Sequence, residues 1–251
     1  MLTAVILTKD EEKNIVDAVE SVLFCDEILI IDDFSIDRTE EIIKKYFGNL
    51  RKLKVVKRKL EDDFSAQRNF SLENAKNDWV LFIDADERVS SILRKEIIYK
   101  LDELKKDLNG FYLKRENYLW GRLMKFGEFA GEKNIRLANK KYGRWEGMVH
   151  EEWKLSGKIQ TLNNPIIHYP HESLNEYLNK LNFYTDIRAK ELFQKGTRSG
   201  AWKILLYSLG KFIYNYFFKL GLLDGVRGLI VSCLMSFNSF LVRSKLWKMQ
   251  E

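Results

Sequence analysis

An apolar run that ends in two aspartates, residues 79–86, constrains the fold of this chain more than any other segment. Five consecutive apolar residues are typical of a strand buried on both faces, as in a parallel sheet. Open parallel sheets bind ligands beyond the carboxyl ends of their strands. Asp84 and Asp86 are therefore predicted at the lip of a crevice, on the same side of the pleat, where carboxylates suit Mg²⁺ or Mn²⁺. A strand that ends in a solvated acidic turn is the alternative.

The first half of the chain alternates between strand and helix patterns. Strands are predicted at residues 2–8, 27–33, 53–57 and 79–84, and helices at residues 15–23, 42–47 and 65–76. This order predicts an α/β fold, a mostly parallel sheet with flanking helices on both faces. We then predict a helix over 91–108, strands over 111–115 and 135–138, and a helix that Ser173 and Glu176 cap.

Positive charge is concentrated at the end of the chain. Residues 200–251 carry seven basic and two acidic residues, so they hold +5 of the net charge of +6. This tail is also aromatic and apolar, which predicts amphipathic helices that dock on a membrane surface and argues against a nucleic-acid partner. Two alternatives remain, helices packed on the body and a spanning hairpin, although the uncharged stretch 228–242 is shorter than the ~20 residues that a spanning helix needs.

The cysteines and the N-terminal residues bear on location. Cys25 and Cys233 are far apart in apolar surroundings, which predicts two buried thiols in a reducing compartment. The first residues resemble a strand and lack the features of a signal peptide. We therefore expect a cytoplasmic protein attached peripherally to the inner face of the cytoplasmic membrane.

Polar and acidic groups follow three of the predicted strands, at residues 8–12, 32–39 and 84–86. Parallel strands would bring all three segments to one crevice. The chain has no glycine-rich phosphate loop of the Walker or dinucleotide type. A nucleoside diphosphate bound there would therefore need a metal ion for its charge and side-chain acceptors for its base and ribose.

Taken together, these segments resemble family 2 glycosyltransferases, which have the GT-A fold. The resemblance covers roughly residues 1–155 and rests on four motifs: Thr8-Lys9-Asp10-Glu11, Asp32-Asp33-x-Ser35-x-Asp37-x-Thr39, Gln67-Arg68-Asn69 and Asp84-Ala85-Asp86. Residues 145–151 and the tail resemble a subgroup that adds sugars to lipopolysaccharide core. The implied organisation is a GT-A domain over 1–172, a capping helix over 173–199 and a membrane-docking tail over 200–251.

The resemblance implies a nucleotide-diphosphate sugar, most readily a UDP-sugar, as the donor. The residues implied to bind it are Thr8, Asp10, Glu11, Asp32, Asp33, Arg68 and Asp84. Asp86, with Asp84, would hold the Mg²⁺ or Mn²⁺ cofactor, and His150 or His168 could assist. Arg68 could instead form a structural ion pair with an aspartate, and either histidine could simply pack in the fold.

The catalytic residue is harder to find, because the acidic pair that usually follows the metal motif in this family is missing in its common form. Glu151 is the best substitute, as the general base of an inverting transfer to a lipid-linked or lipopolysaccharide acceptor. The competing interpretation makes Glu151 a structural partner of a nearby Arg or Lys. Two other functions are kept open: a phosphohydrolase with Asp84 as nucleophile, and a nucleotide-sugar-binding protein without turnover.

Overall fold

The computed structural model describes residues 1–61, 63–104, 107–147, 151–170 and 173–251. The chain forms two compact units. We call Met1–Arg115 with Lys133–His168 the sheet unit, and Glu116–Glu132 with Tyr169–Glu251 the helical unit. The helical unit thus contains both the predicted capping helix and the predicted tail.

The sheet unit begins with four parallel strands joined by helices. In chain order these elements are β1 (Leu2–Thr8), α1 (Ile15–Ser21), β2 (Glu27–Asp32), α2 (Thr39–Phe47), β3 (Leu53–Lys57), α3 (Phe64–Asn74) and β4 (Trp79–Asp84). The strands lie in the order β3-β2-β1-β4, and all of these pairings are parallel. The predicted α/β fold with a mostly parallel sheet is confirmed.

Further strands and one helix follow β4. They are β5 (Glu87–Val89), α4 (Ser91–Asp102), β6 (Leu108–Leu119), β7 (Arg122–Leu123), β8 (Lys133–Asn139), β9 (Gly143–Glu146), β10 (Glu152–Leu155), β11 (Lys158–Thr161) and β12 (Ile166–His168). Strand β8 pairs antiparallel with both β4 and β6, and β9 pairs with β10 as a separate ribbon.

The central strands are buried on both faces because their alternating side chains enter two separate cores. In β4, Leu81 and Ile83 pack with α1, α2 and α4 in one core, while Val80 and Phe82 pack with α3 and with Trp145 in the other. This arrangement explains why β4 is apolar from Trp79 to Ile83, as a strand covered by helices on both faces must be.

Some local expectations were wrong. The helix predicted over 91–108 ends at Asp102, and Leu108 begins strand β6, in which Phe111 and Leu113 enter the core at a spacing of two. Of the two cysteines expected to be buried, Cys25 is buried and Cys233 is exposed. The apolar neighbours of Cys233 in sequence lie at other angles around its helix, so they do not cover it.

The helical unit is built on α5 (Leu174–Gln194), α6 (Ala201–Ile213) and α7 (Val226–Lys248). The Ser173 hydroxyl accepts a hydrogen bond from the Glu176 amide at 3.2 Å, which confirms the predicted cap of α5. A π-helical turn (Tyr214–Phe218) and a 3₁₀ turn (Gly221–Asp224) join α6 to α7. In the described part of the chain, α7 is the one helix whose length and composition would let it cross a membrane.

Candidate active site

The carboxyl ends of β1, β2 and β4 meet at one edge of the sheet. Thr8 of β1 lies opposite Asp32 of β2, and the preceding Leu7 lies opposite Asp84 of β4. The three strand ends therefore differ by a single residue in register. The acidic segments that follow them leave the sheet at the same edge, as the sequence predicted.

Hydrogen bonds tie the loop after β1 to the loop after β2. The Asp10 carboxylate accepts from the Ile36 amide at 2.7 Å, and the Asp10 amide donates to the Ser35 hydroxyl at 2.9 Å. The Glu11 amide donates to the Thr39 hydroxyl at 2.9 Å. Asp10 has φ +53°, a left-handed conformation that is uncommon outside glycine, and these bonds hold it there.

The two aspartates at the end of β2 have different surroundings. Asp32 is buried and accepts hydrogen bonds from the amide and hydroxyl of Ser35. Asp33 accepts from the Leu60 amide at 3.0 Å and lies 3.3 Å from the Lys9 ammonium. Thr8 is buried, and within the described residues its hydroxyl oxygen has no hydrogen-bond partner.

Asp37 and Thr39 complete the polar motif after β2. Burial opposes ionisation of Asp37, but hydrogen bonds from the Thr39 hydroxyl and amide and from the Glu12 amide outweigh it and hold the pKa of Asp37 below its ordinary value. Asp37 therefore stays ionised and anchors the start of α2.

Three arginines surround the carboxylate of Asp84. Its Oδ1 lies 3.0 Å from Arg68 Nη2, and its Oδ2 lies 3.1 Å from Arg136 Nη2 and 3.4 Å from Arg115 Nη2. Burial raises the pKa of Asp84, but Arg136, Arg68 and Arg115 together hold that pKa well below the ordinary range. Asp84 is thus a fixed negative charge at the end of β4.

Glu87 is a second carboxylate beside this cationic cluster, and the sequence patterns did not predict its role. Its side chain is fully buried, with Oε1 at 2.6 Å from Arg115 Nη2 and 3.4 Å from Arg136 Nη2. Its Oε2 accepts from the Asp84 amide at 2.8 Å. A detectable signal did exist, because Arg136 interrupts an apolar strand and a buried arginine needs a carboxylate partner.

Arg68 joins Asp84 to Glu151. Its Nε donates to Glu151 Oε1 at 2.8 Å, and its guanidinium lies over the rings of Trp145 and Phe82, at 4.7 and 5.4 Å from their centroids. The ion pair with an aspartate that we considered for Arg68 is therefore present. The competing interpretation of Glu151, as a structural partner of an arginine, also matches a contact that is present, because Glu151 binds Arg68.

The residues on either side of Arg68 hold this arrangement in place. Gln67 donates to the Arg58 carbonyl at 2.9 Å, which anchors the segment after β3. Asn69 exchanges two hydrogen bonds of 2.9 Å with the backbone of Trp145 in β9. The Gln67-Arg68-Asn69 motif therefore connects α3 to three neighbouring parts of the sheet unit.

Asp86 has surroundings unlike those of Asp84. Strand β4 ends at Asp84, and Asp86 lies in the turn that follows, so one pleated strand does not present both carboxylates as predicted. Asp86 Oδ2 lies 3.4 Å from His168 Nε2. His150 lies outside the described residues. Within the described ranges, no group of three or more His, Cys, Asp or Glu side chains is arranged to hold a metal ion.

Comparison with known proteins identifies the family. Residues 3–151 match the model of Glycosyl transferase family 2. An uncharacterized glycosyltransferase of Rickettsia typhi is 30% identical, and the match covers 98% of this chain and 86% of the relative. The lipopolysaccharide core biosynthesis glycosyltransferase LpsC of Rhizobium meliloti is 26% identical, over 98% of this chain and 92% of LpsC.

A solved structure is similar in fold. S. aureus TarS 1-349, in complex with UDP-GlcNAc, has a TM-score of 0.51 and 15% identity, with coverage of 99% of this chain and 88% of that TarS 1-349 chain. The family match and this fold leave no support for the phosphohydrolase alternative. The chain belongs to glycosyltransferase family 2 and is a glycosyltransferase of the GT-A fold.

Proposed function

We propose that this enzyme transfers a sugar, with inversion, from a UDP-sugar to a membrane-linked glycan such as lipopolysaccharide core. The observation that carries the proposal is the convergence of three polar strand ends beside the arginine-anchored Asp84. The name of the Rhizobium meliloti relative supports the acceptor class. In this proposal Thr8, Asp10, Glu11, Asp32 and Asp33 line the base and ribose side of the donor pocket.

The donor set fits a divalent ion, Mg²⁺ or Mn²⁺, held by Asp86. Such ions are commonly bound through one or two protein carboxylates, with substrate phosphates and water completing the shell. Asp86 with the nearby His168 meets that requirement. Asp84 would contribute to the metal site less directly than Asp86, because both of its carboxylate oxygens already accept hydrogen bonds from arginines. A divalent ion held there would supply positive charge to stabilise the departing diphosphate.

We assign the acceptor's proton to Glu151. The acceptor hydroxyl oxygen attacks the anomeric carbon, its proton passes to Glu151, and the bond to the diphosphate breaks so that UDP leaves. Arg68 orients Glu151 through the 2.8 Å bond to its carboxylate. Arg68 also donates to Asp84, so it fixes the position of Glu151 relative to the aspartate at the donor site.

We also propose that residues 200–251 attach the enzyme peripherally to the inner face of the cytoplasmic membrane. The charge of +5 on this segment and its apolar, aromatic composition support the assignment. Attachment would keep a membrane-linked acceptor within reach of the covalently joined sheet unit.

Release of UDP from a panel of UDP-sugars, with and without Mn²⁺ and an acceptor glycolipid, tests the site. Asp86→Ala should lower the rate by roughly 100-fold or more, as expected for the loss of a main electrostatic stabiliser. Asp78→Ala is the matched control, because Asp78 is half-buried, pairs with Lys141 and immediately precedes β4 at the end of the strand opposite Asp84. Equal rates for the two variants would refute the metal-site assignment.

The same assay tests the base. Glu151→Gln should lower kcat by roughly 100-fold to 10,000-fold, the usual contribution of a general base, while donor binding persists. Its neighbour Glu152 is exposed and ion-paired with Lys154, so Glu152→Gln should keep full activity. An unchanged kcat in Glu151→Gln would refute the role of Glu151 as general base and would favour a purely structural role as the partner of Arg68. Donor binding without turnover in the unmodified chain would favour the binding-protein alternative.

A further inference from the structure

Helix α6 has apolar side chains on two opposite sides. One side packs on α7, as the 2.7 Å bond from the Ser236 hydroxyl to the Ser208 carbonyl shows. The opposite side carries a stripe at helical spacing that is exposed along its whole length. We call this the outer stripe, and it consists of Trp202, Leu205, Leu206, Leu209 and Ile213.

The exposure of the outer stripe is unusual for residues of this size. Trp202 is 78% exposed and Leu206 is 63% exposed, and α6 has no buried residue at all. The turns after α6 carry the exposed side chains of Phe217, Phe218, Leu222 and Leu223, and α7 begins with the exposed Val226. An apolar stripe along one whole face of a helix marks an interaction site, since scattered exposed apolar residues would not line up in this way.

Charge near the start of α6 indicates the partner. Arg198, Lys203 and Lys248 are all exposed. A 3.3 Å bond from the Ser199 amide to the Gln250 side chain joins the start of α6 to the end of α7, so these three cations lie at the same end of the helical unit. An apolar surface bordered by cations matches the chemistry of an anionic lipid surface.

A groove opens at this same end. It has a volume of about 420 Å³ and is lined by Ile204, Phe240, Ser244, Lys245, Trp247 and Lys248. Three of these lining residues are apolar and three are polar, and two of the polar ones are lysines. The groove therefore offers room for part of an acyl chain next to a cation for the lipid phosphate.

Contacts with α5 argue that α7 stays out of the bilayer core. Lys245 of α7 lies 2.8 Å from the Asp186 carboxylate and donates to Asn182 at 2.8 Å. Residues 228–242, the uncharged part of α7, extend about 22 Å as a helix, which is less than the ~30 Å of hydrocarbon. A transmembrane α7 would have to break these polar contacts or bury them in lipid.

We propose that the outer stripe of α6 inserts in the plane of an anionic phospholipid bilayer, with Arg198, Lys203 and Lys248 over the lipid phosphates. The proposal deepens the membrane attachment under the proposed function by naming the inserted face and the lipid charge. It requires no sugar transfer, so lipid binding and glycosyltransferase activity can fail independently.

Flotation of the full chain with vesicles tests the proposal. Vesicles of phosphatidylcholine with phosphatidylglycerol should bind the protein, and phosphatidylcholine alone should bind it at least about tenfold more weakly, because three cations each gain from surface charge. Lys203→Gln with Lys248→Gln should remove this preference. Lys54→Gln with Lys95→Gln, two exposed lysines of the sheet unit, should keep it.

The stripe itself is tested by Leu206→Gln with Leu209→Gln, which should weaken vesicle binding by about tenfold or more. Ile92→Gln with Ile98→Gln is the matched control, since both isoleucines are exposed on α4. All of these positions are exposed, so circular dichroism should report folded variants. Unchanged binding of the leucine variant would overturn the proposal.

Two further measurements distinguish the proposal from a membrane-spanning α7 and from a second copy of the chain on this surface. Washing with alkaline carbonate should release the vesicle-bound protein, and retention would mean that α7 spans the bilayer. Light scattering without lipid should give a monomer in both leucine and control variants. A dimer that only the leucine variant dissociates would show that a second copy of the chain covers the stripe, and would overturn the proposal.

Discussion

At the scale of single residues, the candidate site depends on balanced buried charge. Asp84, Glu87 and Glu151 supply three carboxylates, and Arg68, Arg115 and Arg136 supply three guanidinium groups, all within one connected network. Removing one member leaves an opposite charge uncompensated in a low-dielectric environment. The network is therefore expected to respond to small chemical changes.

Glu87→Gln tests this balance. The amide keeps the shape of the side chain but removes the charge that faces Arg115 and Arg136, so we expect a loss of roughly 3–5 kcal/mol in the free energy of unfolding. Urea denaturation measures it. Glu73→Gln, at an exposed glutamate 3.8 Å from Arg144, should cost less than about 1 kcal/mol. A loss of that small size at Glu87 would show that the network is not balanced by charge.

Asp84 predicts a pH dependence of stability. Its pKa in the folded chain is below the value of about 3.9 for an unfolded aspartate, so the stabilisation is complete above about pH 5 and is lost as the pH falls. The stability difference between the unmodified protein and Asp84→Asn should therefore shrink by up to about 1.4 kcal/mol per pH unit below about pH 4. A difference that stays constant down to pH 2 would contradict the assignment.

At the scale of elements, glycines control how the turn after α6 meets α7. A methyl group on Gly228 would overlap the carbonyl oxygen of Gly221, whereas one on Gly210 of α6 would meet no atom within 4 Å. Gly228→Ala should cost roughly 1–3 kcal/mol through steric overlap. Gly210→Ala should stabilise by up to about 1 kcal/mol, because alanine favours helix. Thermal unfolding of both variants compares them, and equal effects would contradict the packing.

The elements also show how far sequence reasoning extends. Strands β1, β2 and β4 were predictable because burial on both faces gives each of them an apolar run, and their order determines where the acidic ends meet. The contacts of Arg115 and Arg136 with Asp84 were not predictable, because the two arginines reach Asp84 from β6 and β8, which follow β4 by tens of residues. These contacts depend on the antiparallel register of β6 and β8, and local sequence patterns do not indicate that register.

At the scale of the whole molecule, the buried charges of the sheet unit and the exposed charges of the helical unit have different roles. The basic excess lies in residues 200–251, and the rest of the chain is nearly neutral although it contains the arginine cluster. The arginines are neutralised by carboxylates within the sheet unit, whereas Arg198, Lys203 and Lys248 of the helical unit are exposed. Salt should therefore weaken vesicle binding through screening of exposed charge, and affect the buried network much less.

We propose that the strand ends of the sheet unit bind a nucleoside diphosphate with a divalent metal. Thermal unfolding of the full chain with UDP, in the presence of Mn²⁺ or EDTA, measures this binding. A ligand at about 100 times its Kd stabilises the folded state by about 2.7 kcal/mol. We predict a clear rise in Tm with UDP and Mn²⁺ together, lost with EDTA or in Asp86→Ala and retained in Asp78→Ala. An unchanged Tm with every nucleoside diphosphate and metal tried, or an equal rise in Asp86→Ala, would contradict the account.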